Sequence, residues 1–427
     1  MRKNLLTILS GLLFCSVSFA VPKYWVGPIN GNWNNAANWS LTANGPGSAG
    51  VPASTDSVIF AGSPVVNMDV SPTIMALTVG GTLVASNTVF YTSQNVVLTI
   101  LKNFSLPENS SLTDSTAGSV AFNVVFSGAN ASNALVYGTW IFTGNTVLVN
   151  PLTQGAFFTV EPGAEVAVGN DEFINAALIF RSNSGVVSSA SATLGFSRNA
   201  RCIFDNVSRV YVPDASWERA ALQYNATVNF YPGANLIING NVSKIVHLAS
   251  TPAYGNVTFN LSTLAQDLNV DFPNGTLVGG DLQINSTNNK TVVLMANTAP
   301  STSLLVRYAE LNLSGGDFKI SGANTKVAVS KPPAGSPAID FVFTVYGTVK
   351  QNGGNLSLQD NDLTTGSVFM DLKGSINQTG GSFFTNSAAV GPINKFVVNL
   401  SGPLYFKGPG GLQNFGQTLT LSSAAIE

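Results

Sequence analysis

Gly279-Gly280-Asp281-Leu282, Gly315-Gly316-Asp317-Phe318, Gly353-Gly354-Asn355-Leu356 and Gly380-Gly381-Ser382-Phe383 repeat one phrase: two glycines, a polar or small residue, then an apolar one. The last three share a longer template: apolar, Asn or Lys, any residue, small polar, Gly, Gly, polar, apolar. Val79-Gly80-Gly81-Thr82-Leu83 is an earlier relative. Two adjacent glycines supply positive φ and leave room for a neighbouring backbone, which is what a tight corner between short strands requires. The phrases lie 36, 38 and 27 residues apart. Such irregular spacing suits a stack of β-coils with variable loops better than an exact repeat array.

Outward from these corners, the chain reads as strand nearly everywhere. Val65 to Val70, Val120 to Phe126, Val147 to Val149, Ala226 to Tyr231 and Phe341 to Val345 are short alternating or apolar runs bounded by turn residues. Apolar residues at helical spacing are hard to find, and the good helix formers are scarce. The chain is 45% hydrophobic and only 9% charged, so it has the means to bury a large core and is not a disordered polymer. The expected fold is therefore all-β: a right-handed parallel β-helix or solenoid over 61–427, preceded by a capping module over 21–60. Alternate side chains would stack inward, and Asn and Thr at the corners would form hydrogen-bonded ladders. Burial at about 25 cal/mol per Å² would stabilise it without disulfides or metals. The alternative is tandem β-sandwich domains, which would place linkers every hundred residues or so. Only Lys331-Pro332-Pro333-Ala334-Gly335-Ser336-Pro337 reads as a linker.

Residues 1–20 read as a signal peptide. Arg2 and Lys3 give a positive start, Leu5 to Val17 an apolar stretch, and Ser18-Phe19-Ala20 a small-x-small cleavage site. Phe14 is too bulky to precede a lipidated Cys15. No later run is long and apolar enough for a membrane helix, so the expected location is secreted or cell-surface. Cleavage leaves Cys202 alone, with no disulfide to form, and it reads as a small buried hydrophobe. The one histidine, His247, sits in the apolar run Ile245-Val246-His247-Leu248 and reads as packed rather than as a base. Without Arg2 and Lys3, 17 basic residues face 21 acidic ones, with no basic run, which argues against nucleic acid as a partner. Asn-x-Ser/Thr triplets, as at Asn103, Asn225, Asn256 and Asn312, are the chance product of a chain this rich in Asn, Ser and Thr.

The most distinctive segment is YWVGPINGNWNNAANWSLTANGPGSAGVPASTDSVIF, Tyr24 to Phe60. Trp25, Trp33 and Trp39 lie among turn formers, and two readings compete for them. An open stack exposes the end of its core, and folded indole rings would cover it. Alternatively, the three rings form a flat stacking platform for sugars. The pattern of Trp25, Gly31-Asn32-Trp33, Asn38-Trp39-Ser40, Val51-Pro52, Asp56 and Phe60 resembles the opening module of large secreted repeat proteins of gliding and type IX-secreting bacteria. It is also similar to openings of autotransporter-like β-helix proteins. The resemblance spans about sixty residues, with Val65 to Val70 and Ile74 to Leu83 similar to the family's first coils. It implies extracellular or outer-membrane display with adhesive or matrix roles. Members exported by the type IX route end in a small C-terminal β-sandwich sorting domain. Here Thr418 to Glu427 reads as further stack, as if truncated, which leaves the export route open.

A β-helix also carries polysaccharide lyases and glycoside hydrolases, whose chemistry needs clustered acids, with or without calcium. The candidates are Asp267 with Asp271, Asp281, Asp317, and Asp360-Asn361-Asp362. Asp267 and Asp271 share a strand face by parity. Asp360-Asn361-Asp362 lacks the glycine and distal glutamate of an EF-hand loop. No Gly-x-Ser-x-Gly elbow, Walker loop, dinucleotide fingerprint or His-Glu-x-x-His is present. The functional expectation is thus a non-catalytic structural or adhesive surface protein meeting extracellular glycans or cell surfaces, with no cofactor. The alternatives are a polysaccharide-active β-helix enzyme, with calcium as its candidate ion, and a carbohydrate-binding module. Oligomeric state is left open by the sequence.

Overall fold

The structure is a computed structural model. It describes residues 21–80, 86–116, 120, 122–127, 133–142, 156–160, 165–169, 176–181, 184–188, 193–206, 209–211, 227–230, 233–246, 253–272, 276–296, 301–306, 316–331, 340–359, 367–372, 374–386, 396–400, 404–406, 412–413 and 419–422. Residues 1–20, His247, the linker-like stretch 332–337, Asp360 and Asp362 lie outside the described residues.

The protein is all-β, with large parallel sheets. A twelve-stranded sheet begins at Val21–Trp25 and passes through Asp56–Phe60, Thr73–Val79 and Val96–Leu106. A seven-stranded sheet carries the later chain from Ala253–Tyr254 to Leu419–Ser422. The largest sheet takes strands from Gly31–Asn32 to Leu412–Gln413. Within it each strand pairs in parallel with the strand of the next pass of the chain.

Alternation along each strand sets one row of side chains inward. Leu112, Trp140, Leu178, Cys202, Leu236, Val257, Leu282, Phe318, Val349 and Ile376 are successive register partners. All ten are buried, so one apolar column threads ten passes. Beside it Phe142, Phe180 and Phe204 stack face to face, with centroids 5.3 Å apart at each step. The sequence distance between partners ranges from 21 residues, Leu236 to Val257, to 38, Trp140 to Leu178. The length of chain per pass therefore varies while this column stays in register, and the shifts at Phe259–Asn260 and Gln351–Asn355 fall after it, because the inward pattern has to stay in phase with its neighbours.

The corners are held by polar ladders. Asn256 Nδ2 donates to Asn235 Oδ1 at 3.0 Å, and Asn256 Oδ1 accepts from Asp281 N at 2.9 Å. Asn260 Nδ2 donates to Asn239 Oδ1 at 2.9 Å, and Asn285 Nδ2 to Asn260 Oδ1 at 2.5 Å. The double-glycine template, however, divides between two corners. Gly316 belongs with the single glycine Gly347, whose N–H donates to Gly316 O at 2.9 Å. Gly353-Gly354 and Gly380-Gly381 turn a different bend, inside the long strands Val349–Gln359 and Ile376–Asn386. There Gly354 and Gly381 have φ of +68° and +77°, and a Cβ on Gly354 would strike Thr325 O. Gln351, buried beneath this bend, donates from Nε2 to Gly354 O at 3.0 Å, and Gln378 makes the same bond to Gly381 O at 2.9 Å. The 27-residue spacing is thus a true pass, Val349 to Ile376, whereas the 38-residue spacing joins unlike corners.

Candidate functional site

The aromatic block at the start packs as a plug. Trp39–Ser40 pairs antiparallel with Tyr24–Trp25, the one antiparallel pairing among the described strands. This closes the exposed edge of the first parallel strand with a two-residue segment, too short to template another chain. Trp33 and Trp39 are 0% exposed and meet edge to face with centroids 4.8 Å apart. Trp25 meets Trp39 at 5.0 Å, and Phe60 and Phe90 continue the aromatic contact inward. Trp39 Nε1 donates to Trp33 O at 2.8 Å, and Asn38 Nδ2 to Asn32 O at 2.9 Å. A side chain on Gly31 would meet Asn38 Nδ2 at 2.9 Å, so glycine lets the backbone lie under the cap. The Gly-Asn-Trp and Asn-Trp-Ser pattern is therefore a packing code. The sugar-stacking platform of Trp25, Trp33 and Trp39 is not formed: Trp33 and Trp39 have no open ring face, and Trp25 is half-buried against Trp39.

The four described candidate acids share one use. Asp267 Oδ1 accepts from Thr291 N at 2.8 Å, and Asp271 Oδ1 from Ala296 N at 3.2 Å. Asp281 Oδ1 accepts from Asp317 N at 2.9 Å, and Asp317 Oδ1 from Thr348 N at 2.8 Å. Each carboxylate thus holds a backbone N–H of the following pass. Burial lifts the Asp271 carboxyl above the usual aspartate range, opposed by its bond from Ala296. Asp267 and Asp271 do lie on one side of their segment, with Leu268, Val270 and Phe272 turned inward. Among the described residues no three of His, Cys, Asp or Glu converge as a metal-holding group. Cys202 is fully buried in the apolar column, and burial pushes its thiol far up.

Asp281 and Asp317 do more than bridge passes. Asp317 Oδ2 takes Lys350 Nζ at 2.5 Å and lies 4.0 Å from Lys319 Nζ, which also pairs with Asp281. The two lysines are direct register partners on the outer face, between Gln283 on one side and Asn377 on the other. Beside this row, at the glycine bend, Ser321 and Asn352 complete an open groove of about 360 Å³. Both aspartates stand out in the sequence, and neither lysine does. The signal was present in the "Asn or Lys" position of the double-glycine template, which is the outward position filled by Lys350 and Asn377.

No family, curated protein or solved structure matches this chain. No helix among the described residues is long and apolar enough to cross a membrane.

Proposed function

We propose that the protein is an exported, non-catalytic structural or adhesive surface protein, built as a right-handed parallel β-helix closed at its start by the tryptophan cap. The observation that carries this reading is the use of the acids. Asp267, Asp271, Asp281 and Asp317 each bind a main-chain N–H of the next pass. A general acid or base must reach a substrate proton, and a calcium site needs several oxygens converging on one point. Carboxylates occupied in this way serve the stack instead. The unbroken column from Leu112 to Ile376 supports a stiff rod, because each pass rests on its neighbours. Residues 1–20 supply the case for export, and the opening module's resemblance to secreted repeat proteins supplies the case for display.

The test is incubation of the chain from Val21 with a panel of acidic and neutral polysaccharides, with calcium and then with chelator. New reducing ends and unsaturated products are measured. The expected outcome is none above the blank. Cleavage abolished by Asp281→Ala or Asp317→Ala in a still-folded chain would replace this reading with that of a polysaccharide-active enzyme.

A further inference from the structure

The outward column containing the two lysines changes character along the molecule. Ile141, Ile179, Ile203 and Ile237 are successive register partners, and Thr258, Gln283, Lys319, Lys350 and Asn377 continue the same column. Four consecutive isoleucines establish that the sheet accepts a β-branched apolar residue there. The fold therefore does not require the polar set that follows. Like charges directly opposite one another on adjacent strands are unfavourable, and Lys319 faces Lys350 across a strand spacing of about 4.8 Å. Only 40 of 427 residues are charged. Four of them nevertheless meet here, from three successive passes.

We infer that this groove is a binding site for a short, hydroxyl-rich oligosaccharide lying along the stack axis across Gln283, Lys319, Lys350 and Asn377. This deepens the adhesive reading above, since it names where contact is made and with what. Both oxygens of each aspartate are already engaged, by a backbone N–H and by a lysine. The lysines are not saturated: an ammonium carries three donors, and Lys350 is half exposed. The groove therefore offers donors in excess of acceptors, and its complement is a ligand dense in hydroxyl, ring or carboxylate oxygens. The local charge is balanced, two lysines against two aspartates, so recognition rests on hydrogen bonds more than on net attraction. A peptide adding itself as a strand needs a free sheet edge. The groove floor is instead the face of strands already paired on both sides. The row repeats at the strand spacing, about 14 Å from Gln283 to Asn377, which matches a repeating ligand rather than a single small molecule.

The experiment is titration of the full chain with neutral and uronic-acid oligosaccharides, followed by calorimetry or ligand-observed NMR at two salt concentrations. It is repeated with Lys350→Ile, which restores the residue type of the upstream column, with Asn377→Ala, and with Lys102→Ala on a distant exposed site as control. Binding of at least one sugar class is expected, weakened about tenfold or more by Lys350→Ile, the scale of one charge-assisted hydrogen bond, and about threefold or more by Asn377→Ala, the scale of a neutral one. Lys102→Ala should bind as the parent does. Strong loss with salt would assign the lysines a charge role, and weak loss a donor role. No binding by either sugar class, or equal binding by parent and groove variants, overturns the inference. Neither result touches the non-catalytic reading, which the cleavage assay decides separately.

Discussion

One outer column of the largest sheet is aliphatic over Ile141, Ile179, Ile203 and Ile237 and polar over Gln283, Lys319, Lys350 and Asn377. Beneath both halves runs the same buried column, from Leu112 to Ile376. The inner row is thus uniform while the outer row is free to vary, and the two halves are braced differently. The aliphatic half rests on stacked phenylalanines, Phe142, Phe180 and Phe204. The polar half rests on side-chain ladders and on glycine bends pinned by the buried Gln351 and Gln378. Parallel pairing constrains one face of each strand tightly. The other face remains open to whatever the surface requires.

The sharpest way to break the first half is to empty its aromatic column. Phe180→Ala should cost about 3–5 kcal/mol, the range for deleting a buried phenylalanine. Because neighbouring strands support one another locally, the loss should appear first as hydrogen exchange in 139–142, 177–181 and 201–205, with the distant passes slower to follow. Equal loosening along the whole chain would mean that the stack unfolds as one unit. The polar half should break at its bend. Gly354→Val forces a β-branched residue to φ +68° and drives a side chain into Thr325 O. A cost of at least about 1–3 kcal/mol is expected in chemical denaturation, with the bend shifted off the Gln351 amide that donates to Gly354 O and Ser382 O.

Asp271 sits at φ +54°, where asparagine is also tolerated, and its Oδ1 is an acceptor that an asparagine retains. Its folded pKa is raised by burial, so the folded state holds the proton more tightly than the unfolded chain does. The sign follows: its contribution is most favourable below the ordinary aspartate range and is lost as pH rises through the raised value. Asp271→Asn should therefore raise the melting temperature slightly at pH 7. The gap between variant and parent should close below about pH 4. A gap that widened on acidification would show that the carboxylate is stabilised by its bond from Ala296 more than it is penalised by burial.

Part of this was legible in the residues. Alternating runs and turn residues sufficed for an all-β reading, since period-two patterning has few other solutions. The asparagine ladders followed from corner composition, whereas no threonine ladder joins them among the described residues. The tryptophans left both a cap and a platform open, and only packing separates them. The same four residues, Asp281, Asp317, Lys319 and Lys350, lie as many as 69 positions apart between Asp281 and Lys350. Nothing local announces their meeting, because it depends on the lengths of two whole passes, each carrying further strands such as Thr291–Met295 and Lys326–Ser330. The template of three double-glycine phrases misled for the same reason: a glycine pair satisfies a tight bend wherever it falls, so similar sequence was placed at unlike corners.

By itself, then, the sequence determined the strand class, the inward alternation and the need for corners, because those depend on periods of two and on backbone freedom at glycine. The tertiary structure decided which residues become neighbours. Register across passes is set by burying each inward row against the next, and loops ranging widely in length are accommodated to keep it. That is why Trp33 and Trp39 face the core, why Asp267, Asp271, Asp281 and Asp317 each meet a backbone amide, and why two lysines lie side by side over one groove.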